Sequence, residues 1–190
     1  MKPKTRCCWS GTDPLYIKYH DEEWGVPVYD DQVFFEFLIL ETFQAGLSWI
    51  TILRKRENFR EAFDAFDYNK IAQYDLEKTN NLMQNEGIIR NRLKIQAAIS
   101  NAQAFLALRE AHGSFSAFVW NFIGNKPIVN YPKTQLDVPA TTELSDRLSK
   151  ELKKRGFKFV GSTIVYAFMQ ATGLVDDHLV GCFRKKESGS

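Results

Sequence analysis

The sequence predicts an all-α fold. Three observations carry this: apolar residues recur at the helical period in segment after segment, cap and stop residues stand at the segment ends, and no stretch alternates like a half-buried strand. In chain order, Asp30 or Asp31 caps a helix that runs to about Ala45, with Gly46 as its stop. Periodic helices follow over about 48–63, 76–85, 90–110 and 114–123. Thr141 or Thr142 caps the next, which carries Leu144, Leu148 and Leu152 at helical spacing before Gly156, and the last periodic stretch is 161–172. The proline-bearing segments 25–27 and 124–139 are too short to separate domains. The expectation is one domain over 1–183 and a polar tail, 184–190, that is disordered.

Composition narrows the class of protein. A chain of 190 residues, 44% hydrophobic and 14% aromatic, fills one core and is not a disordered polymer. Three cysteines, an odd number, argue against a secreted disulfide framework and for a reducing compartment. No apolar run approaches membrane-spanning length, and Met1-Lys2-Pro3-Lys4 leads to Cys7 without the apolar stretch of a signal peptide. A soluble, cytoplasmic protein with no membrane partner is expected. The net charge of +2 announces no nucleic-acid partner, but it is unevenly spread. Residues 88–108 include Arg90, Arg92 and Lys94 with no acid, and residues 152–175 include Lys153, Lys154, Arg155 and Lys158 with no acid.

Three features carry candidate chemistry. Cys7 and His20 near one end, with His178 and Cys182 four residues apart near the other, make a two-plus-two thiolate and imidazole set that suits tetrahedral Zn²⁺. Four protein ligands leave no open position, so such a site is a structural clasp; the other reading is two small buried hydrophobes and two ordinary histidines. Second, Glu41 projects between the directions of Phe34, Phe37, Leu38 and Ala45 on the helix after Asp30. A buried carboxylate must be neutral, paired, or lining a pocket whose ligand brings the donors. Trp9, Tyr16, Tyr19, Trp24 and Trp49 flank that helix, and a carboxylate among aromatic faces is one way to hold a purine edge and ring. Core glutamate and core aromatics remain the alternative. Third, Asn85-Glu86-Gly87-Ile88-Ile89-Arg90 stands between two helical stretches, and the exposed amides of the second helix, with Arg90, Arg92 and Lys94 beside them, suit a DNA phosphate. The turn reads as a degenerate helix-hairpin-helix.

Taken together, Cys7-Cys8-Trp9, Asp13-Pro14-Leu15-Tyr16, Tyr19-His20-Asp21, Glu23-Trp24-Gly25-Val26-Pro27, Glu41, Gln44-Ala45-Gly46-Leu47-Ser48-Trp49, Lys55-Arg56-Glu57-Asn58, Gly87-Ile88-Ile89-Arg90, the stretch from Lys153 to Gly161 and His178-Leu179-Val180-Gly181-Cys182 resemble the 3-methyladenine DNA glycosylase I family. The resemblance runs from residue 7 to 182. It implies a helix-hairpin-helix DNA glycosylase fold, a structural zinc clasp on Cys7, His20, His178 and Cys182 that joins the terminal segments, and excision of alkylated adenine. It makes Glu41 the base-recognising, catalytic residue and Trp9, Tyr16, Tyr19 and Trp49 the aromatic pocket. Gly46 and Leu47 fall in the turn that enters the gap left by the flipped base. Gly87, Ile88, Ile89, Arg90 and Lys154 are the implied DNA contacts. Two departures stand out: Cys8 adjoins Cys7, which opens the choice of thiolate, and Phe43 replaces a commonly polar residue before Gln44, which bears on base preference.

The implied chemistry needs no strong general acid. A methyl on the minor-groove ring nitrogen makes the adenine cationic, so it departs as a neutral molecule. Residues 91–120, where many helix-hairpin-helix relatives place a catalytic aspartate, contain none. No residue stands out as a lysine nucleophile for strand cleavage. The expectation is a monofunctional, monomeric enzyme acting on double-stranded alkylated DNA, with free 3-methyladenine as product. A non-catalytic helical DNA-binding module is the competing class, with Glu41 as core; a zinc hydrolase is disfavoured by a site with four protein ligands.

Overall fold

The structure, a computed structural model, describes residues 4–185. Among these the chain forms helices α1 (Pro14–Glu22), α2 (Asp31–Gln44), α3 (Trp49–Ala62), α4 (Tyr68–Ile71), α5 (Leu76–Gln84), α6 (Arg92–His112), α7 (Phe115–Phe122), α8 (Glu143–Lys154) and α9 (Ser162–Ala171). The predominantly helical expectation holds. Its caps hold as well: Asp30 accepts from Val33 N at 3.0 Å, and Thr142 exchanges a reciprocal pair of bonds with Ser145; Asn91, not foreseen, caps α6 by accepting from Lys94 N at 3.1 Å. Periodicity did not reveal α1 or the single turn of α4, both short and mixed in pattern. Asp13 caps α1 by accepting from Leu15 N and Tyr16 N, with Pro14 in the first turn where its missing N–H costs nothing. One strand pair was also unforeseen: β1 (Ile128–Val129) runs parallel to β2 (Val175–Asp176), too short to show alternation.

The expected apolar stripe on α2 proves too narrow. Every residue from Phe34 to Phe43 is buried, so the helix is enclosed on all sides, the arrangement of a central core helix. Around it α3, α6, α7 and α9 pack, with Phe35 against Phe105 at 5.0 Å and Phe34 against Phe168 at 5.8 Å between ring centres. Phe105 stacks on Phe115 at 4.5 Å, which joins α6 to α7. Glu36, the first buried carboxylate on this helix, is paired with Arg56 at 2.6 Å and Arg60 at 2.7 Å from α3. Arg56 also holds Glu23 at 2.6 Å, fixing the end of α1 against α2 and α3.

The segment after α1 lies against the segment after α9. Gly25 N donates to Gln170 O and Val28 N to Thr172 O, both at 3.0 Å. Two glycines make the approach possible: at Gly173, with φ of +65°, a Cβ would stand 2.3 Å from the Val26 carbonyl carbon, and at Gly25, with φ of +74°, 2.7 Å from the His178 ring. Of the tail, Arg184 N donates to Cys182 Sγ at 3.5 Å and the Lys185 ammonium donates to Asn130 O. Residues 186–190 lie outside the described residues. No helix among the described residues is long and apolar enough to cross a membrane.

Candidate active site and metal centre

Tyr16, Tyr19 and His20 stand three and four residues apart on α1, so they share one face of the helix. Trp9, on the short turn Cys8–Ser10, packs against this face at 5.0 Å from Tyr16, 6.3 Å from Tyr19 and 5.2 Å from His20. Trp49, the first residue of α3, meets Tyr19 at 5.5 Å. These aromatics and Glu41 line one cavity of about 370 Å³, a volume suited to a small ligand. All five base-binding candidates from the sequence therefore come together.

Glu41 is 3% exposed, and its Oε2 has no hydrogen-bond partner among the described residues. The alternative of a core glutamate paired with an arginine or with helix amides finds no such partner here. Burial pushes its carboxyl up to about 8. Burial, and then the neighbouring Glu41, also raise the phenols of Tyr16 and Tyr19. The indole Nε1 of Trp49 is likewise buried without a partner. A cavity with stacking faces, an unfilled acceptor and an unfilled donor is arranged for a flat, polar-edged ligand, and a cationic one would draw the proton off Glu41.

The remaining wall escaped the sequence reading. It consists of Gln44 at the end of α2, Gln135, Val138, Pro139 and Ala140 between β1 and α8, and Thr163, Tyr166, Ala167 and Gln170 on α9; Trp24, already set beside the Glu41 helix by the sequence, lines the cavity too. Tyr166 and Gln170 are held by the buried Asp177 at 2.6 and 2.7 Å. No sequence motif links these distant segments; only the packing of α9 on α2 does. Phe43 packs on Phe59 at 4.7 Å and Phe63 at 5.6 Å and is not among the lining residues, so its departure bears on the core rather than on the pocket surface. Lys94, expected beside a DNA phosphate with Arg90 and Arg92, is instead buried and donates to Phe43 O at 2.9 Å and Ala45 O at 2.6 Å. It caps the last carbonyls of α2 from α6.

Behind Trp9 lies the candidate metal centre. Cys7, His20 and Cys182 are buried with ligand atoms within 4.8 Å of one another, while Cys8 is exposed. His178 stands outside that group, its ring centre 5.2 Å from that of His20, and its Nε2 is buried without a partner. Each imidazole has its Nδ1 committed to a carboxylate, His20 to Asp21 at 2.8 Å and His178 to Asp176 at 2.9 Å. That leaves Nε2 toward the cluster: on His178 it has no partner, and on His20 it meets Cys7 N at 3.3 Å and Cys182 Sγ at 3.4 Å. Leu179 N points at Cys7 Sγ at 3.4 Å and Arg184 N at Cys182 Sγ at 3.5 Å, donors suited to thiolates. The residues present fit a soft divalent ion such as Zn²⁺.

The expected DNA contacts lie on three separate segments, the turn after α2, the turn between α5 and α6, and the end of α8. Gly46 and Leu47 are exposed in the turn after α2, closed by Leu47 N to Gln44 O at 2.6 Å. Gly87 to Arg90 form the turn between α5 and α6. There Lys55 donates to Glu86 O at 3.0 Å and Gly87 O at 3.2 Å, which fixes the turn on α3. Ile88 is buried in the core, which overturns it as a surface contact, while Arg90 is exposed and loosely paired with Glu86 at 3.5 Å. Lys154 is exposed at the end of α8.

The Glu41 carboxyl gives a pH signature. Between about 4.5 and 8 the unfolded chain releases this proton while the folded chain keeps it, so the folded protein binds more protons and loses stability as pH rises through that window. Glu41→Gln removes this loss. The stability of the variant relative to the parent should rise from pH 5 to pH 8 by on the order of several kcal/mol in urea unfolding without base present. A difference that stays flat with pH would show that Glu41 ionises in the ordinary carboxylate range.

Residues 9–185 match the family model described as Methyladenine glycosylase. DNA-3-methyladenine glycosylase 1 of Escherichia coli is 55% identical over 177 residues, covering 93% of this chain and 95% of that protein. DNA-3-methyladenine glycosylase of Haemophilus influenzae is 53% identical, covering 94% and 96%. Among solved structures, a 3-methyladenine DNA glycosylase I crystal structure superposes with a TM-score of 0.94 at 54% identity, covering 96% of this chain and all of that one (100%). The Staphylococcus aureus 3-methyladenine DNA glycosylase I, solved to describe its recognition of 3-methyladenine, matches with a TM-score of 0.93 at 39% identity over 96% and 97% of the two chains. With its aromatic cavity, buried carboxylate and near-complete alignment, this chain belongs to the methyladenine glycosylase family.

Proposed function

We propose that this protein is a DNA-3-methyladenine glycosylase that draws the alkylated base out of duplex DNA and hydrolyses its N-glycosidic bond, leaving an abasic site. The observation that carries the reading is Glu41: a buried carboxylate without a partner, inside an aromatic cavity, in a member of this family.

The chemistry follows from the charge of the lesion. Extruding a base costs a few kcal/mol of stacking, less for a damaged one. The cationic ring stacks against Trp9 and Trp49, and Glu41 accepts from the exocyclic amine. Its proton leaves as the cation arrives, and the resulting charge pair is strong because water is excluded. Ordinary adenine brings no positive charge to offset ionising Glu41. When the glycosidic bond breaks, its electron pair stays on the base nitrogen and neutralises the ring. Water adds to the sugar carbon and gives its proton to solvent. Tyr16 and Tyr19 remain protonated and can donate to the base edge. No lysine is required, consistent with a monofunctional enzyme.

Two further parts complete the proposal. Zinc, held by Cys7, His20, His178 and Cys182, supplies no chemistry at the base and acts as a clasp that fixes α1 and Trp9 against the segment after α9. The turn between α5 and α6 serves as a helix-hairpin-helix whose Gly87 to Arg90 backbone, with Arg90 and Lys154, grips phosphates, while Gly46 and Leu47 fill the emptied position in the duplex.

Purified protein should release 3-methyladenine from methylated duplex DNA, resolved by chromatography from 7-methylguanine. Glu41→Gln should lower that release by about a hundredfold or more, a loss of on the order of 3 kcal/mol of transition-state stabilisation, while undamaged DNA still binds. Unchanged release by the variant would remove Glu41 from the mechanism. Metal analysis should find about one zinc per chain, and Cys182→Ser should lose it with a lower Tm; a fully active, stable, metal-free parent would refute the clasp. Arg90→Ala or Lys154→Ala should weaken binding at all sequences and shallow the salt dependence by about 0.9 per lost phosphate contact. A slope equal to the parent's places the residue outside the interface.

A further inference from the structure

The cavity is bordered by two turns. One, after α2, places Gln44 in the lining and Leu47 beyond it, 37% exposed. The other is the single 3-10 turn Gln135–Asp137, which lies between β1 and α8. It places Gln135 in the lining and the adjacent Leu136 in solvent. At 95% exposure Leu136 is the most exposed large hydrophobic side chain among the described residues.

This second turn is stiff despite facing water. The Asp137 carboxylate accepts from Lys133 N at 3.0 Å, Thr134 N at 2.8 Å and Thr134 Oγ1 at 3.1 Å. Pro132 just before it is buried and accepts from Val180 N at 3.0 Å, tying the segment to the stretch that carries Cys182. Val138 just after it packs on the core. A leucine is thus presented to solvent from a braced platform at the rim of the cavity, where a flexible loop could have folded it away. Its chemistry suits base faces rather than phosphates, and the one acid in the turn has its charge turned inward onto backbone amides.

We propose that Leu136 is a second duplex-contacting tip: when the base occupies the cavity, Leu136 packs against the base stack beside the emptied position, together with Leu47, and holds the extruded conformation. This rests on the glycosylase reading of the cavity. Braced apolar tips at two places on one rim hold the duplex open on a wider front than a single wedge and disfavour return of the base.

The test uses Leu136→Ala in the full chain. Nearly full exposure means that the substitution leaves Tm and the affinity for free 3-methyladenine, read by tryptophan fluorescence, unchanged. Affinity for a duplex containing a tetrahydrofuran abasic analogue should fall about 5- to 20-fold, affinity for intact duplex less than about twofold, and kcat/KM for duplex substrate by a factor similar to the first. On methylated single strands, which have no stack to fill, the variant should match the parent. Equal affinity of variant and parent for the abasic-analogue duplex overturns the proposal, as does an equal loss on free base or on single strands. Should the parent itself neither release base nor prefer the analogue to intact duplex, the glycosylase reading fails first, and the parent alone reveals it.

Discussion

A helix buried on every side can hold a polar group only by pairing it or by reserving it for something that arrives later, and α2 does both. Glu36 is paired with two arginines, the Thr42 hydroxyl donates to Leu38 O at 2.9 Å, and the terminal carbonyls are capped by Lys94. Glu41 alone among these is left with an unfilled oxygen. The surrounding pairings matter because they fix the helix in rotation and height. A carboxylate on a helix free to turn would find water or an arginine, and its tendency to hold a proton would vanish.

The rest of the molecule can be understood as what keeps that position rigid and dry. Arg56 ties α1 to α2 and α3 through Glu23 and Glu36, so the aromatic face of α1 stands over Glu41. The thiol and imidazole group lies behind Trp9, and its histidines are oriented by Asp21 and Asp176. On the far side Asp177 holds Tyr166 and Gln170 in the wall. Buried polar networks of this kind specify one arrangement, because each half-made alternative leaves a charge or donor unsatisfied. The cavity is therefore shaped before any base enters, and binding need not bear the cost of ordering its walls.

What was legible in the sequence divides along physical lines. Long helices with a cap and a stop, such as α2 and α8, announce themselves because local chemistry sets both their period and their ends. Glu41 stood out because a carboxylate among apolar positions contradicts its surroundings. The short helix α1 showed no clear period, so the sharing of one face by Tyr16, Tyr19 and His20 was not legible, although the residues themselves were singled out. Local pattern is silent about contacts made at long range. Thr163 and Gln170 reach the cavity because α9 packs on α2, Gln135 reaches it from the turn before α8, and β1 meets β2 across more than forty intervening residues. Lys94 looked like surface charge for the same reason: its acceptors lie 51 and 49 residues away.

The contact between Leu179 and Cys7 spans 172 residues of chain. Trp9, Tyr16 and Tyr19 are synthesised long before the segment that backs them. Closing so long a loop is slow, and contacts on its far side reward it only after the intervening helices have condensed. The contacts of α2 with α3, α6 and α7 close shorter loops, whereas those with α9 are nearly as distant as the terminal contact. Loop-closure entropy therefore favours the α3, α6 and α7 side of the core forming ahead of α9 and the base-holding wall. A partly made chain exposes its pocket aromatics without a finished cavity, so selectivity for a damaged base is a property that arrives only with the closing of the circuit.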